Sequence, residues 1–176
     1  MLVVLYLVRH LRPTIDSGIC YGWTDVPAQV DANAATDIAH KLGEVRALHS
    51  SSLTRCANLA RALGGQLNLE VVVNDALKEL NFGQWEMKTW DDIGAQAIDD
   101  WIASGYEATH SGESLTEFDA RVERWAREQN PQLDIAVVTH AGVIRSFLRT
   151  FSAISLEESL AYPIAFGEIV TCEISA

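Results

Sequence analysis

The feature that most constrains the fold is an uninterrupted apolar run near the N-terminus, from Leu2 to Val8, followed at once by Arg9 and His10. A run rich in Val and Leu without polar alternation predicts a strand buried on both faces, at the centre of a parallel sheet. Open α/β sheets bind ligands beyond the carboxyl ends of their strands. Arg9 and His10 are therefore candidate site residues. An Arg-His pair after a strand is structural or solvated as often as it is functional, so the pair forms a site only if residues from other strand ends converge on it.

Strand and helix patterns alternate along the rest of the chain. Further strands are predicted at residues 45–48, 69–73, 134–139 and 169–174. Helices are predicted at residues 31–42, 53–63, 89–103, 114–129 and 143–151, with Asp31, Ser50–Ser52 and Ser114 as caps and with stops at Gly64–Gly65 and Pro131. This order predicts an α/β fold of three layers, in which helices cover both faces of a mostly parallel sheet. The length of 176 residues predicts a single domain over residues 1–176.

The charge balance limits the partners. A net charge of −11 disfavours nucleic acid and anionic membranes, because both bind to basic surfaces. The N-terminal apolar run is broken by Arg9 and has no basic residues before it, so neither a secretory signal nor a membrane span is expected. A cytoplasmic location is the expectation that remains. Three separated cysteines without a C-x-x-C pair predict buried thiols. Only three of the 13 basic residues are lysine, and arginine suits bidentate recognition of phosphate.

The polar residues that follow the buried strands form the candidate site. Because the carboxyl ends of parallel strands share one edge of a sheet, His10 and His140 are expected to meet there, with Arg9 and with Arg55 from the helix after Ser50–Ser52. A neutral imidazole can attack phosphorus, and neighbouring arginines favour the neutral form and stabilise phosphoryl oxygens. The pattern indicates a phosphate site that contains a nucleophile. Zinc is an alternative for the histidines, although arginines repel a cation.

A proton donor for the leaving group completes this chemistry. Glu79 is the candidate, and general acid catalysis of this kind contributes about 10²–10⁴-fold to the rate. Glu86 lies in the same segment and is the alternative donor. Glu113 and Ser114 are explained by helix capping as well as by contacts in a site.

Five motifs resemble, in their order along the chain, the signatures of the histidine phosphatase superfamily, which has the phosphoglycerate mutase-like fold. They are Val8–His10, Ser50–Arg55, Glu79–Glu86, Gly112–Ser114 and Val138–Arg145. The resemblance implies that His10 is the phosphorylated nucleophile, that Arg9, Arg55 and His140 form the phosphate pocket, and that Glu79 donates the proton. It implies no metal and no cofactor. Three residues depart from the family pattern: Leu11 stands where Gly or Thr is common, Ser52 where Pro is usual, and Met87 where Gly is usual. The bulk of Leu11 is expected to narrow the pocket or to alter the loop beside it.

The loop from Arg12 to Pro27 resembles that of the α-ribazole phosphatase branch. This resemblance implies hydrolysis of α-ribazole 5′-phosphate, a late step of cobalamin assembly, with Trp23 a candidate to stack on the aromatic leaving group. Substrate contacts are expected from Ala141 and from Cys20, Tyr21, Gly22 and Trp23. The alternatives are a broad phosphatase for sugar phosphates or phosphoglycerate, a phosphohistidine-protein phosphatase, and a binding module for phosphate ligands without turnover. A homodimer is a possible assembly.

Overall fold

The structure, a computed structural model, describes residues 2–130 and 132–175. Its strands are β1 Leu2–Arg9, β2 Ala47–Ser51, β3 Val71–Asn74, β4 Ile135–Thr139 and β5 Ile169–Ser175. Its helices are α1 Ala32–Leu42, α2 Thr54–Leu67, α3 Trp90–Ile93, α4 Ala95–Ala103, α5 Leu115–Arg127, α6 Ala141–Phe151 and α7 Leu156–Ala161. Two short 3₁₀ turns, Asp75–Leu77 and Gly83–Trp85, lie between β3 and α3. Throughout the described ranges, every helix is too short or too polar to cross a membrane.

The five strands form one sheet in the order β3-β2-β4-β1-β5. β1 pairs in parallel with β4, with Leu7 opposite Val137, and β2 pairs in parallel with both β3 and β4. β5 pairs antiparallel with β1. The predicted α/β fold with a mostly parallel sheet is confirmed. The reversed direction of β5 was not predicted, because an apolar pattern carries no information on strand direction.

Successive residues of β1 contact helices on opposite faces of the sheet, since side chains alternate along a strand. Leu5 and Leu7 are fully buried in a core cluster with α5 and α6, whereas Val8 is buried in a second cluster with α1 and α2. Complete burial of one such side chain stabilises the fold by about 1.5–3 kcal/mol. The apolar run is therefore buried on both faces, and the three-layer arrangement is confirmed.

Helix α2 differs from its prediction at both ends. It continues through Gly64 to Leu67, and its C-cap Asn68 has a left-handed backbone with φ of 54°. Gly64 is a packing residue and not a stop, because a β-carbon there would lie 2.8 Å from the carbonyl oxygen of Leu69. At its start, the N–H of Thr54 donates to Asp25 Oδ1 at 2.7 Å. The first turn is thus capped mainly by a distant loop and not by the serines before it.

Other helices follow the sequence signals more closely. The predicted caps Asp31 and Ser114 both accept hydrogen bonds from their helices, and Ser114 forms a complete capping box with Glu117. The helix predicted at residues 89–103 is two helices, because Gly94 has φ of 84° and interrupts it. Helix α7 was not predicted. Helix α5 ends at Arg127, and the proposed stop at Pro131 lies outside the described residues.

Candidate active site

The carboxyl ends of the neighbouring strands β1 and β4 bring two histidines together. His10 follows β1, and His140 is the N-cap of α6 directly after β4. The backbone N–H of His10 donates to the carbonyl oxygen of Thr139 at 3.0 Å. The two imidazole centroids lie 5.2 Å apart in an edge-to-face arrangement, and both rings are buried. Parallel pairing of the strands thus joins residues from opposite ends of the chain in one site.

The hydrogen bonding of His10 determines which ring nitrogen is free. Nδ1 lies 2.7 Å from the carbonyl oxygen of Leu11. A carbonyl only accepts, so Nδ1 carries the hydrogen and the lone pair of the neutral ring is on Nε2. Burial, reinforced by the charges of Arg55 and Arg9, lowers the pKa of His10 to about 3. At neutral pH, His10 therefore has an unprotonated Nε2 beside two guanidinium groups.

Arg55 is fully buried in the first turn of α2. Its Nη2 donates to the carbonyl oxygen of Gly22 at 2.5 Å, its Nη1 to that of Thr24 at 2.9 Å, and its Nε to Nδ1 of His140 at 3.3 Å. A guanidinium has five N–H groups, so one remains on each terminal nitrogen. Two such donors in a fixed plane suit a pair of phosphoryl oxygens.

His140 is held by protein groups at both ring nitrogens. Because Nδ1 accepts from Arg55, Nε2 carries the hydrogen and donates to Oγ of Ser51 at 2.9 Å. The thiol of Cys56 lies 3.4 Å from the same nitrogen. Burial and, secondly, the charge of Arg55 lower the pKa of His140 well below its ordinary value. In this arrangement the neutral ring orients Arg55 at the edge of the site.

Arg9 is oriented by the segment that precedes β5. Its Nη1 donates to the carbonyl oxygen of Ile164 at 2.6 Å, and its guanidinium carbon lies 3.8 Å from the ring centroid of Phe166. Its Nε is buried and has no hydrogen-bond partner among the described residues. Sequence reasoning missed Ile164 and Phe166, because neither belongs to a motif with chemical character.

Glu79 reaches the same site from the segment between the two 3₁₀ turns. Its Oε2 accepts from the backbone N–H of Gly142 at 3.0 Å, and its Oε1 accepts from that of Leu80 at 3.0 Å. The N-terminus of α6, where Gly142 lies, favours a negative charge. A β-carbon at position 142 would lie 2.0 Å from Oε1, so this approach of the carboxylate requires glycine.

A partly buried ion pair fixes the backbone around Glu79. Arg121 donates through Nη1 to the carbonyl oxygens of Ala76 and Lys78, both at 2.9 Å, and through Nη2 to that of Glu79 at 3.3 Å. Its Nη2 is also 2.7 Å from Oε2 of Glu113. Glu113 therefore holds Arg121, and Arg121 holds the segment that carries Glu79.

Glu86, the alternative proton donor, organises the loop after β1. Its carboxylate accepts from the backbone N–H groups of Trp23 at 2.7 Å, Thr24 at 2.5 Å and Phe82 at 3.2 Å. It does not line the cavity that contains His10. The structure therefore places Glu79, and not Glu86, within reach of a leaving group bound there.

Of the residues expected to contact substrate, some line the cavity that contains His10 and others do not. Tyr21 and Ala141 line the cavity with the catalytic candidates. Cys20 is buried away from it, and Gly22 packs so closely that a β-carbon would lie 1.9 Å from the carbonyl oxygen of Leu80. Direct substrate contacts from Cys20 and Gly22 are therefore not supported, and Gly22 instead serves the site through its hydrogen bond from Arg55.

Trp23 and Leu11 also differ from expectation. Trp23 lies outside the cavity lining, donates from Nε1 to the carbonyl oxygen of Glu79 at 2.8 Å, and has the ammonium of Lys78 4.8 Å from its ring. It is therefore not placed to stack on a leaving group in this cavity. The side chain of Leu11 packs against the core cluster of α1 and α2 and does not narrow the cavity.

The cavity has a volume of about 280 Å³, a charged end and an apolar wall. Arg145 and Arg149 also line it. The apolar and aromatic wall consists of Ile19, Leu80, Phe82, Trp90, Trp101, Tyr106, Leu115, Phe118 and Leu160. His110 is buried behind this wall, with its ring centroid 4.9 Å from that of Trp85. The charged end offers donors suited to a phosphate group, and the wall offers apolar surface to whatever is attached to it.

The part of the chain that the structure describes offers no ligand set for the zinc alternative. Within residues 2–130 and 132–175, no group of three or more His, Cys, Asp or Glu side chains is arranged to hold a metal ion. The charged neighbours closest to the two histidines are arginines, which repel a cation.

Comparison with known proteins identifies relatives of the chain and of its fold. The chain is similar to a candidate phosphoserine phosphatase, phosphoserine phosphatase 2 of Hydrogenobacter thermophilus, with 26% identity over 165 residues, 87% of this chain and 80% of that protein. Its fold is similar to that of a mycobacterial glucosyl-3-phosphoglycerate phosphatase (TM-score 0.80, 24% identity, 98% of this chain and 91% of that one). It is also similar to that of a phosphoglycerate mutase from Bacillus anthracis str. Sterne (TM-score 0.78, 18% identity, 98% and 88%).

The family itself is shown by sequence. The model of the histidine phosphatase superfamily (branch 1) matches residues 5–176, nearly the whole chain. At the identities given above, the two solved structures establish the phosphoglycerate mutase-like fold. Together with the pair of histidines, the arginines and the carboxylate in one cavity, these findings show that the chain belongs to the histidine phosphatase superfamily and is a phosphatase of that type.

Proposed function

We propose that this phosphatase hydrolyses a small phosphate monoester through a phosphohistidine on His10, without a metal ion. The observation that carries the proposal is the state of His10. Its Nδ1–H is held by the carbonyl of Leu11, its Nε2 is unprotonated, and Arg9 and Arg55 border the same cavity. A nucleophile, donors for the phosphoryl oxygens and a carboxylate are thus present together.

In the first step, the lone pair of His10 Nε2 forms a bond to phosphorus and the ester P–O bond breaks. Arg9 and Arg55 hold the phosphoryl oxygens, and Glu79 in its protonated form gives its proton to the departing ester oxygen. The Nδ1–H of His10 keeps its bond to the Leu11 carbonyl, which stabilises the positive charge of the phosphorylated ring.

In the second step, water attacks phosphorus and the P–N bond breaks. The carboxylate of Glu79 takes a proton from the attacking water and returns to its acidic form, as the reverse of its first role requires. His10 recovers its lone pair on Nε2, and inorganic phosphate leaves. His140 contributes to the phosphate pocket by holding Arg55 through Nδ1.

The finer proposal for the substrate is α-ribazole 5′-phosphate. Support comes from the loop resemblance and from the cavity wall, in which Phe82, Trp90 and Trp101 provide aromatic surface for a planar leaving group. Phe82 lies edge-to-face with both indoles, at centroid distances of 5.9 and 6.1 Å. Trp23 lies outside the cavity lining and is not expected to stack on this substrate.

A second candidate, phosphoserine, is favoured by Arg145. This residue lines the cavity and donates from Nε and Nη2 to the carbonyl oxygen of Tyr162, at 3.2 and 3.1 Å. It forms no ion pair with the described part of the chain, whereas its neighbour Arg149 is paired with Asp119. A guanidinium that donates to a backbone carbonyl, and so keeps its unit charge, suits a leaving group that carries a carboxylate. The relative in Hydrogenobacter thermophilus is named for phosphoserine.

The test is phosphate release, in the presence of a chelator, from α-ribazole 5′-phosphate, phosphoserine, 3-phosphoglycerate, sugar phosphates and p-nitrophenyl phosphate. His10→Ala is the control for turnover, and Arg145→Gln is assayed on the same panel. We expect a kcat/KM for α-ribazole 5′-phosphate at least about 100-fold above the others, a discrimination that binding to a shaped pocket can supply. Mass spectrometry of a base-quenched reaction should locate the phosphoryl group on His10.

The other outcomes distinguish the alternatives. A preference for phosphoserine that Arg145→Gln abolishes would replace α-ribazole by the second candidate. A flat profile with a phosphorylated His10 would leave a broad small-molecule phosphatase. No release from any ester, with phosphate binding unchanged in His10→Ala, would contradict catalysis and indicate a binding module.

A further inference from the structure

We infer that Phe166 is a positioning residue for phosphoryl transfer, because its ring fixes the guanidinium of Arg9 beside the nucleophile His10. The inference rests on the phosphatase function proposed above. Phe166 belongs to the connection between α7 and β5, which contains none of the five motifs. It is absent from the lining of the cavity that contains His10, so it acts through its neighbours and not on the substrate.

The side chains of Arg9, Arg12 and His10 converge on this one ring. The guanidinium carbon of Arg9 lies 3.8 Å from the Phe166 centroid, and that of Arg12 lies 4.9 Å from it. The imidazole of His10 lies 5.6 Å away, tilted by 48°. A guanidinium over an aromatic face at this distance is attracted by the ring quadrupole. The ring therefore holds Arg9 and also limits the space in which His10 can turn.

Backbone contacts fix the ring relative to Arg9. The N–H of Arg9 donates to the carbonyl oxygen of Glu168, and the N–H of Gly167 donates to the carbonyl oxygen of Arg9, both at 3.0 Å. The carbonyl oxygen of Ile164 accepts from Nη1 of Arg9 at 2.6 Å. Main chain on both sides of Phe166 is thus bonded to Arg9, so the ring and the guanidinium move together.

Stacking orients Arg9 without occupying its donors. A carboxylate partner would take two N–H groups and neutralise the charge, whereas an aromatic face takes neither. Arg9 lines the cavity and gives one N–H of Nη1 to the Ile164 carbonyl, so the stacked guanidinium keeps further donors for phosphoryl oxygens. Without the ring, the long side chain would regain rotamer freedom that binding of phosphate must then remove.

The test is a double-mutant cycle between Phe166→Leu and Arg9→Gln. Leucine removes the aromatic face and keeps an apolar side chain. We expect Phe166→Leu alone to lower kcat/KM for p-nitrophenyl phosphate about five- to tenfold, and to raise the inhibition constant of inorganic phosphate by a similar factor. In the Arg9→Gln background, Phe166→Leu should have no further effect. Phe166→Tyr, which restores an aromatic face, should return both constants to within about twofold of the wild type.

The controls separate positioning from simple stability. Phe151→Leu removes a ring that has the guanidinium of Arg127 5.8 Å from its centroid, and it should leave both constants unchanged. Equal losses from Phe166→Leu in both backgrounds, or no loss in the wild type, would overturn the inference. If Phe166→Leu does not fold, Phe166→Met takes its place in the cycle. If the wild type hydrolyses no ester, the proposed function fails, and the cycle is then measured by calorimetric binding of inorganic phosphate.

Discussion

Replacement of Gly142 by alanine tests how Glu79 is held in the site. A β-carbon at this position would lie 2.0 Å from Oε1 of Glu79 and 2.9 Å from its carboxyl carbon. Both distances are too short for van der Waals contact, so the carboxylate must move by about 1 Å or more. A misplacement of about 1 Å lowers a rate by about 10²-fold, and general acid catalysis contributes about 10²–10⁴-fold. We therefore expect kcat for an alkyl phosphate to fall about 10²-fold in Gly142→Ala.

The fold should withstand this change. Gly142 lies in the first turn of α6, and alanine is favoured over glycine in helices by about 0.8–1 kcal/mol. Gly65→Ala in α2 is the matched control, because no atom lies within 4 Å of the added β-carbon. Gly65→Ala should raise the free energy of unfolding by about 0.5–1 kcal/mol and leave kcat unchanged.

The assay compares two kinds of leaving group. An alkoxide needs a proton as it departs, whereas nitrophenolate needs little help, so Gly142→Ala should affect p-nitrophenyl phosphate less than an alkyl phosphate. Glu79→Gln should show the same pattern, and the double variant should be no slower than Glu79→Gln alone. The reasoning is refuted if Gly142→Ala retains kcat within about threefold of the wild type on the alkyl ester while Glu79→Gln does not.

Three further predictions concern the loop, a strained turn and acid stability. Gly22→Ala should force the loop away from the Leu80 carbonyl and lower the free energy of unfolding, measured in urea, by about 1–3 kcal/mol. It should also lower kcat/KM, because the hydrogen bond from Arg55 to the Gly22 carbonyl is lost. Met87 has φ of 67°, so Met87→Gly should raise the free energy of unfolding by about 1 kcal/mol, whereas a lower value would contradict strain there. In the unfolded chain His10 binds a proton near its ordinary pKa of 6.5, whereas in the folded chain it does so only near a pKa of about 3. The free energy of unfolding therefore falls as the pH falls between these two values, by up to about 1.4 kcal/mol per pH unit. His10→Asn should remove that part of the slope in urea titrations at about pH 4 to 6, and an unchanged slope would show that His10 does not titrate this way.

The parts of the fold that the sequence predicts are those with a local signal. The apolar runs before His10 and His140 are buried on both faces, and the capping residues Asp31 and Ser114 mark real helix starts. The course of α2 through Gly64 was not predictable, because the reason for glycine is the nearby carbonyl of Leu69. The residues next to Gly64 in the sequence do not indicate this contact, because only the tertiary fold brings the two atoms together.

Contacts made by the tertiary fold also explain how an acidic chain keeps several unneutralised arginines in one cavity. Arginines on a protein of net charge −11 would be expected to find carboxylates, and Arg149 does. Arg9, Arg55 and Arg145 instead donate to backbone carbonyl oxygens of the loop after β1 and of the segment before β5. A carbonyl orients a guanidinium and leaves its unit charge in place, so the attraction for a phosphate dianion is retained. Because these acceptors are main-chain atoms of distant segments, the motifs point to Arg9 and Arg55 as candidate site residues but do not predict Arg145 and Arg149 in the cavity lining or what orients the guanidinium groups.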